Sequence, residues 1–153
     1  MNPRFDEFIE MDVPGQVAFD FLADPSTAAI IDPAVLEYRP NTDPMALGTR
    51  NEIRFKMWGV PLNVTSVVTE WEPGRRMMLE NVKPSRPTRA IATHAFEPTG
   101  SGCRYTWSME MVPTGPGGRL LGRLFCRFMQ KNAQAQKVLF KNEVERRYRS
   151  GQV

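Results

Sequence analysis

Residues 103–149 read CRYTWSMEMVPTGPGGRLLGRLFCRFMQKNAQAQKVLFKNEVERRYR, and their period changes once, at the PTGPGG break over 113–118. Before the break Tyr105, Trp107, Met109 and Met111 alternate with Arg104, Thr106, Ser108 and Glu110. A period of two is that of a strand with one face buried. After the break Leu121, Phe125, Phe128, Asn132, Ala135, Leu139 and Asn142 recur at spacings of three and four. Leu120, Leu124, Met129 and Val138 widen that stripe, which contains no proline and a single early glycine, Gly122. This predicts one amphipathic helix over 119–149, roughly 30 residues and about 45 Å long.

Upstream, proline and glycine divide the chain into short pieces that can be typed by period. Phe5–Val13 reads as a first strand, 16–24 as a short helix, and 26–33 as a second one with Ser26 as its N-cap. Strands follow over 35–39, 49–58, 62–72, 75–82, 89–97 and 103–112. The cleanest is 49–58, where Ile53, Phe55 and Met57 oppose Glu52, Arg54 and Lys56. Consecutive hairpins make an antiparallel, curved sheet. The long helix must cover one face of it, giving an α+β fold with room for a cavity between sheet and helix.

The 153 residues suit one domain over 1–153, and 41% hydrophobic with 24% charged residues excludes wholesale disorder. No apolar run approaches the ~18 residues of a membrane span. The opening MNPRFDEFIEMD is too acidic for a signal peptide. Two cysteines, Cys103 and Cys126, are too few for a disulfide framework and lack CxxC spacing. The expectation is a cytoplasmic protein with neither metal nor cofactor. The net charge of +3 is unevenly spread: residues 119–153 hold nine bases and two acids, and residues 1–118 hold eleven bases and fifteen acids.

Several phrases carry a family resemblance. They are Val13-Pro14-Gly15-Gln16-Val17-Ala18-Phe19-Asp20-Phe21-Leu22-Ala23-Asp24, Leu47-Gly48-Thr49-Arg50, Val68-Thr69-Glu70-Trp71-Glu72-Pro73-Gly74-Arg75-Arg76 and Gly102-Cys103-Arg104-Tyr105-Thr106-Trp107. With the order of elements, they resemble the START-like superfamily in its SRPBCC branch, the polyketide cyclase/dehydrase and lipid-transport group. The resemblance covers nearly the whole chain, with Cys103 standing where the family has threonine. It implies a helix-grip fold, a curved antiparallel sheet wrapped around the C-terminal helix, whose cavity serves in different members to carry lipids, bind hormones or isoprenoids, or cyclise polyketides. It implies no universal catalytic motif, and fold alone does not give function.

Candidate site residues follow from the faces. The inward sets Ile53, Phe55, Met57 and Tyr105, Trp107, Met109 would line the cavity, joined by His94 and Phe96 and by Leu121, Phe125 and Phe128 from the helix. His94, the only histidine, shares a strand face with Ala92 and Phe96. Pointing inward, it is a general base or a hydrogen-bond anchor for a ligand. A register shift of one would turn it outward as an ordinary strand residue. Glu70 and Glu72 share a strand face as a candidate acid pair, although they sit at a strand end before a turn. The GPGG at 115–118 lacks the Lys-Ser/Thr of a nucleotide loop and reads as a joint that positions the helix.

Arg119, Arg123, Arg127 and Lys131 lie four apart, as do Lys137 and Lys141, beside the apolar stripe. They form either a solvated face or a docking surface for an anionic membrane or acidic partner. No recognition motif supports nucleic acid. Three functions are compatible with this reading. One is a binding protein for a hydrophobic small molecule such as a lipid, isoprenoid or polyketide-like compound. Another is a cyclase/dehydratase-type enzyme in which His94 moves protons. The third is a non-catalytic interaction protein.

Overall fold

The computed structural model describes residues 1–152. The elements are β1 (Arg4–Met11), α1 (Gly15–Ala23), a 3-10 turn (Pro25–Thr27), α2 (Ala28–Ile31), β2 (Val35–Pro40), β3 (Arg50–Met57), β4 (Val60–Glu72), β5 (Arg76–Lys83), β6 (Thr88–Pro98), β7 (Cys103–Pro113) and α3 (Gly118–Arg149). One seven-stranded antiparallel sheet runs β1-β7-β6-β5-β4-β3-β2. Strands β2 to β7 are a meander, and β1 closes onto the free edge of β7. The α1–α2 segment therefore spans from one edge of the sheet to the other. Bulges at Leu36 in β2, at Thr69 in β4 and, opposite Thr65/Ser66, at Val82 in β5 bend that half of the sheet. The result is the curled half-barrel of a helix-grip fold.

Helix α3 lies against β1, β7 and β6, with further contacts to α1 and α2. It approaches the sheet closely because its inner face is small. Gly118, Gly122, Cys126 and Ala133 are buried, and a Cβ on Gly122 would press against Met111 and Thr88. Towards its C-terminal end the face becomes Gln136, Phe140 and Val144. Phe140 is wholly buried, stacked on Phe21 at 5.6 Å and edge-on to Tyr105 at 4.9 Å and Phe96 at 6.4 Å. This ring cluster joins α1, β6, β7 and α3 at a single point.

Polar contacts pin the same half of the helix to β1. The Glu145 carboxylate accepts from the Asp12 backbone N–H and from Lys141 Nζ, each at 2.8 Å. Burial alone would raise its pKa, but these two donors hold it below the ordinary glutamate range. Lys137 and Lys141 donate to the Phe8 and Glu10 carbonyls at 3.1 and 2.8 Å.

Two expectations are corrected. The apolar stripe expected on the helix is rotated from the one that packs: Leu120, Leu124, Ala135, Val138, Leu139 and Asn142 are exposed. A search for large apolar residues passes over Gly118, Gly122, Cys126 and Ala133, which allow the close approach. The second helix is not capped by Ser26. Asp24 caps the 3-10 turn, its Oδ1 accepting from the Ser26 N–H at 2.9 Å, and only four residues of α-helix follow.

The corrected face makes a direct prediction. Phe140→Ala should lower unfolding free energy by about 3–5 kcal/mol, the usual cost of emptying a buried aromatic site. Leu139→Ala, its exposed neighbour, should change it by less than about 0.5 kcal/mol. Urea denaturation of the two variants checks this, and equal losses would put the wrong face against the sheet.

Candidate functional site

Because α3 sits over β1, β7 and β6, the inner faces of β3, β4 and β5 curl away from it and are not covered by it. Between them and the helix lies a cavity of about 320 Å³. Its walls come from all layers: Ile53 and Phe55 on β3, Leu79 on β5, Ala90 and Ala92 on β6, Met109 on β7, and Phe125 and Met129 on α3. The α1–β2 segment, including Leu22, Ile31 and Tyr38, closes it on another side with Met45 of the β2–β3 loop. The surroundings are mostly apolar, as in small-molecule sites generally.

The residues expected to line a cavity divide into two sets. Ile53, Phe55, His94, Trp107, Met109 and Phe125 do line it. Met57, Phe96, Tyr105, Leu121 and Phe128 do not. Phe96 and Tyr105 are buried in the ring cluster around Phe140. Met57 is buried at the end of β3. Leu121 is only half-buried, and Phe128 packs edge-on against Trp58 at 5.9 Å on the outside of the helix. The rotation of the helical stripe accounts for both helix residues.

His94 pairs across the β6–β7 ladder with Trp107 and borders the cavity. Its Nδ1 lies 2.7 Å from the Tyr105 hydroxyl, with the two rings parallel at 5.9 Å. Its ring is also 5.4 Å from that of Trp107. Burial lowers the imidazole pKa to about 4, so the ring is neutral at physiological pH. Burial likewise raises the pKa of Tyr105, which keeps its proton. If Tyr105 donates to Nδ1, Nε2 carries the remaining hydrogen as a donor. If Nδ1–H donates to Tyr105, Nε2 is a free base.

Other polar groups reach the cavity wall. Asp32 is half-buried beside Asn132, whose Nδ2 donates to it at 2.8 Å, and it also accepts from the Ala34 N–H at 2.9 Å. Desolvation outweighs these bonds and raises its pKa. Ser66 Oγ, Trp107 Nε1 and Gln136 Oε1 belong to residues that line the cavity. All three atoms are buried without a hydrogen-bond partner among the described residues. Leaving a buried polar atom unpaired costs about 1–3 kcal/mol, so a set of them around one cavity marks where a bound molecule would find partners.

Several of these residues are not found by sequence reading. Asn132 and Gln136 offer only the signal of polar residues on a helix that packs on a sheet. Asp32 and Met45 sit in irregular chain with no period to place them, and Tyr38 lies on the short edge strand β2, whose pattern is too brief to fix a face. The other pairs singled out from sequence do not reach the cavity. Glu70 bonds Arg76 Nε at 2.7 Å and Glu72 is exposed. Cys103 and Cys126 are buried free thiols. Among the described residues, no three His, Cys, Asp or Glu side chains group as metal ligands. No helix among them is long and apolar enough to cross a membrane.

Comparison with known proteins agrees with this architecture. The model of the family described as polyketide cyclase / dehydrase and lipid transport matches residues 2–145. No curated protein matches the chain. Among solved structures, it is similar to the Zhui aromatase/cyclase from Streptomyces sp. R1128, at 14% identity and a TM-score of 0.79, over 97% of this chain and 96% of that one. It is also similar to the di-domain aromatase/cyclase StfQ of the steffimycin biosynthetic pathway, at 15% identity and a TM-score of 0.77. That match covers 95% of this chain but 51% of the other, so the chain spans about half of the di-domain protein. A third similar structure is TTHA0849 from Thermus thermophilus, at 19% identity and a TM-score of 0.72, over 94% of this chain and 97% of that one. With the family model matching almost end to end and the helix-grip architecture in place, the chain belongs to the polyketide cyclase / dehydrase and lipid transport family.

Proposed function

We propose that the protein binds a hydrophobic small molecule of lipid, isoprenoid or polyketide-like chemistry in the cavity between the sheet and α3. The observation that carries this reading is a mostly apolar cavity whose lining residues include Ser66, Trp107 and Gln136, each with a buried polar atom that has no partner among the described residues. Apolar burial would supply affinity at roughly 25 cal/mol per Å² before ordering costs. The polar atoms would orient the molecule: Trp107 Nε1 donates only, Gln136 Oε1 accepts only, and Ser66 does either. A ligand offering an oxygen near Trp107 would pair the indole N–H without disturbing the Tyr105–His94 pair.

A second reading, a cyclase/dehydratase-type enzyme, is favoured by one specific feature. When the Nδ1–H of the neutral imidazole donates to Tyr105, Nε2 is left as a free acceptor at the edge of the cavity, where it can take a proton from a bound substrate, as a weaker base than an exposed histidine. In this reading His94 is the proton acceptor, Tyr105 fixes its ring, and the apolar walls fold the reactive chain.

Three expectations test these readings. Protein purified from its own host should carry an apolar compound in native mass spectrometry, and Ala92→Phe, which fills the cavity from β6, should lack it. An adduct retained by the filled variant would place the ligand elsewhere. For the enzymatic reading, turnover of a cyclisable polyketide-like substrate should fall by about 10²–10⁴-fold in His94→Gln, the range of general-base catalysis. Undiminished turnover would remove His94 from the chemistry.

The third concerns pH. The folded-state pKa of His94, about 4, lies below the ordinary value of 6.5, so the unfolded chain binds the proton more readily. Its contribution to stability is complete above pH 6.5 and is lost as pH falls from 6.5 towards 4, by up to about 1.4 kcal/mol per unit. Asp32, with its raised pKa, acts in the opposite sense, and the lowered pKa values of Glu143 and Glu145 matter only below their ordinary value of 4.5. The difference in unfolding free energy between wild type and His94→Gln isolates the histidine. It should shrink steadily between pH 6.5 and 4, and a constant difference would show a histidine that is not held neutral.

A further inference from the structure

The outward apolar stripe of α3 packs on nothing, and it lies among cations. From Arg119 to Asn142 the sequence contains six bases and no acid. Lys137 and Lys141 are used in fixing α3 to β1. Arg123, Arg127 and Lys131 are exposed and form no ion pair among the described residues. Beside them on the outward face stand Leu120, 65% exposed, and Leu124, 41% exposed. Leu120, Leu124, Arg123 and Arg127, together with Arg4, line a surface depression of about 330 Å³. Arg4 is held there by Asp6 at 3.0 Å.

The hairpin between β3 and β4 extends this surface. Trp58 packs on Phe128 of α3 yet remains 64% exposed. It has a φ of 51°, followed by Gly59 at 78°. A left-handed backbone is unfavourable for so bulky a residue, and asparagine or glycine would be the unstrained choice. Val60 beside it is also exposed, and Arg54 and Lys56 point outward along the approach to the turn. Helix and hairpin thus present apolar tips set among unpaired cations.

We propose that the outward face of the N-terminal half of α3, with the Trp58 hairpin, docks on an anionic phospholipid bilayer. Leu120, Leu124 and Trp58 enter the headgroup layer, and Arg123, Arg127 and Lys131 bind lipid phosphates. Charge complementarity selects this occupant. A second copy meeting the same face about a two-fold axis would set Arg against Arg. A duplex would satisfy the cations but leave Leu120, Leu124 and Trp58 without apolar partners. The inference stands apart from the cavity's contents.

Co-sedimentation of the full chain with vesicles tests it. Binding is expected to vesicles of phosphatidylcholine containing about a third phosphatidylglycerol, not to phosphatidylcholine alone. It should weaken at least tenfold between 20 and 150 mM salt, as screening requires. The double variant R123Q/R127Q should lower partitioning about 30-fold, from about 1 kcal/mol per base. It should keep the wild-type melting temperature and its binding of 1-naphthol in the cavity. The blue shift of tryptophan emission on binding should be lost in W58F. Equal binding to neutral vesicles, no vesicle binding, duplex DNA binding in place of vesicle binding, or self-association blocked by R123Q/R127Q would each overturn the proposal. Loss of naphthol binding with vesicle binding intact would count against the cavity reading alone.

Discussion

The close seating of α3 on β7 is the constraint from which the rest of the structure follows. Gly118, Gly122, Cys126 and Ala133 remove side-chain bulk where the helix crosses the sheet, and Phe140 fills the space among Phe21, Phe96 and Tyr105. The tight contact confines the helix to the β1–β7–β6 side. The far half of the sheet, bent by its bulges, curls away from it and meets it only where Trp58 of the β3–β4 hairpin packs on Phe128. A cavity is then the geometric remainder of a helix that packs tightly on one side and only at a hairpin tip on the other. Replacing the glycines with larger residues would lift the helix and alter the cavity together with the stability.

The chemistry of the cavity depends on the same arrangement. Tyr105 belongs to the packed cluster, and its hydroxyl reaches out of that cluster to His94. The core thereby fixes the orientation of the imidazole at the cavity's edge. Burial keeps the ring neutral, and it also leaves Trp107 Nε1 and Gln136 Oε1 without protein partners among the described residues. A fold selected for stability alone would cap these atoms or replace them with apolar groups. They are the local departure from consistency that functional sites show.

Much of the fold was legible because its elements have clear periods. The alternation over Tyr105–Met111 and over Ile53–Met57 set strand faces correctly, and the PTGPGG break located the start of the long helix. The site was legible in part. Ile53, Phe55, His94, Trp107, Met109 and Phe125 line the cavity because strand alternation and one helix position put them inward. The helix face was misread because hydrophobicity was weighed without size: the buried positions are small, and the large apolar residues Leu120, Leu124 and Leu139 face out. Asp32 and Met45 come from irregular chain, where only the three-dimensional path brings them to the cavity, and Tyr38 comes from the short edge strand β2. The net charge, uninformative as a total, resolves into cations that tie α3 to β1 and cations that stand unpaired on its outer face among the described residues.

The central claim is that the cavity admits an apolar molecule and meets its polar group with Trp107. The three indole N–H signals in a two-dimensional proton–nitrogen spectrum report on Trp58, Trp71 and Trp107 separately, and 1-naphthol supplies an aromatic body with one hydroxyl. Titration should shift the Trp107 signal in a saturable way and leave that of Trp58 in place. A shift confined to Trp58, or no saturable shift at Trp107, would contradict the account.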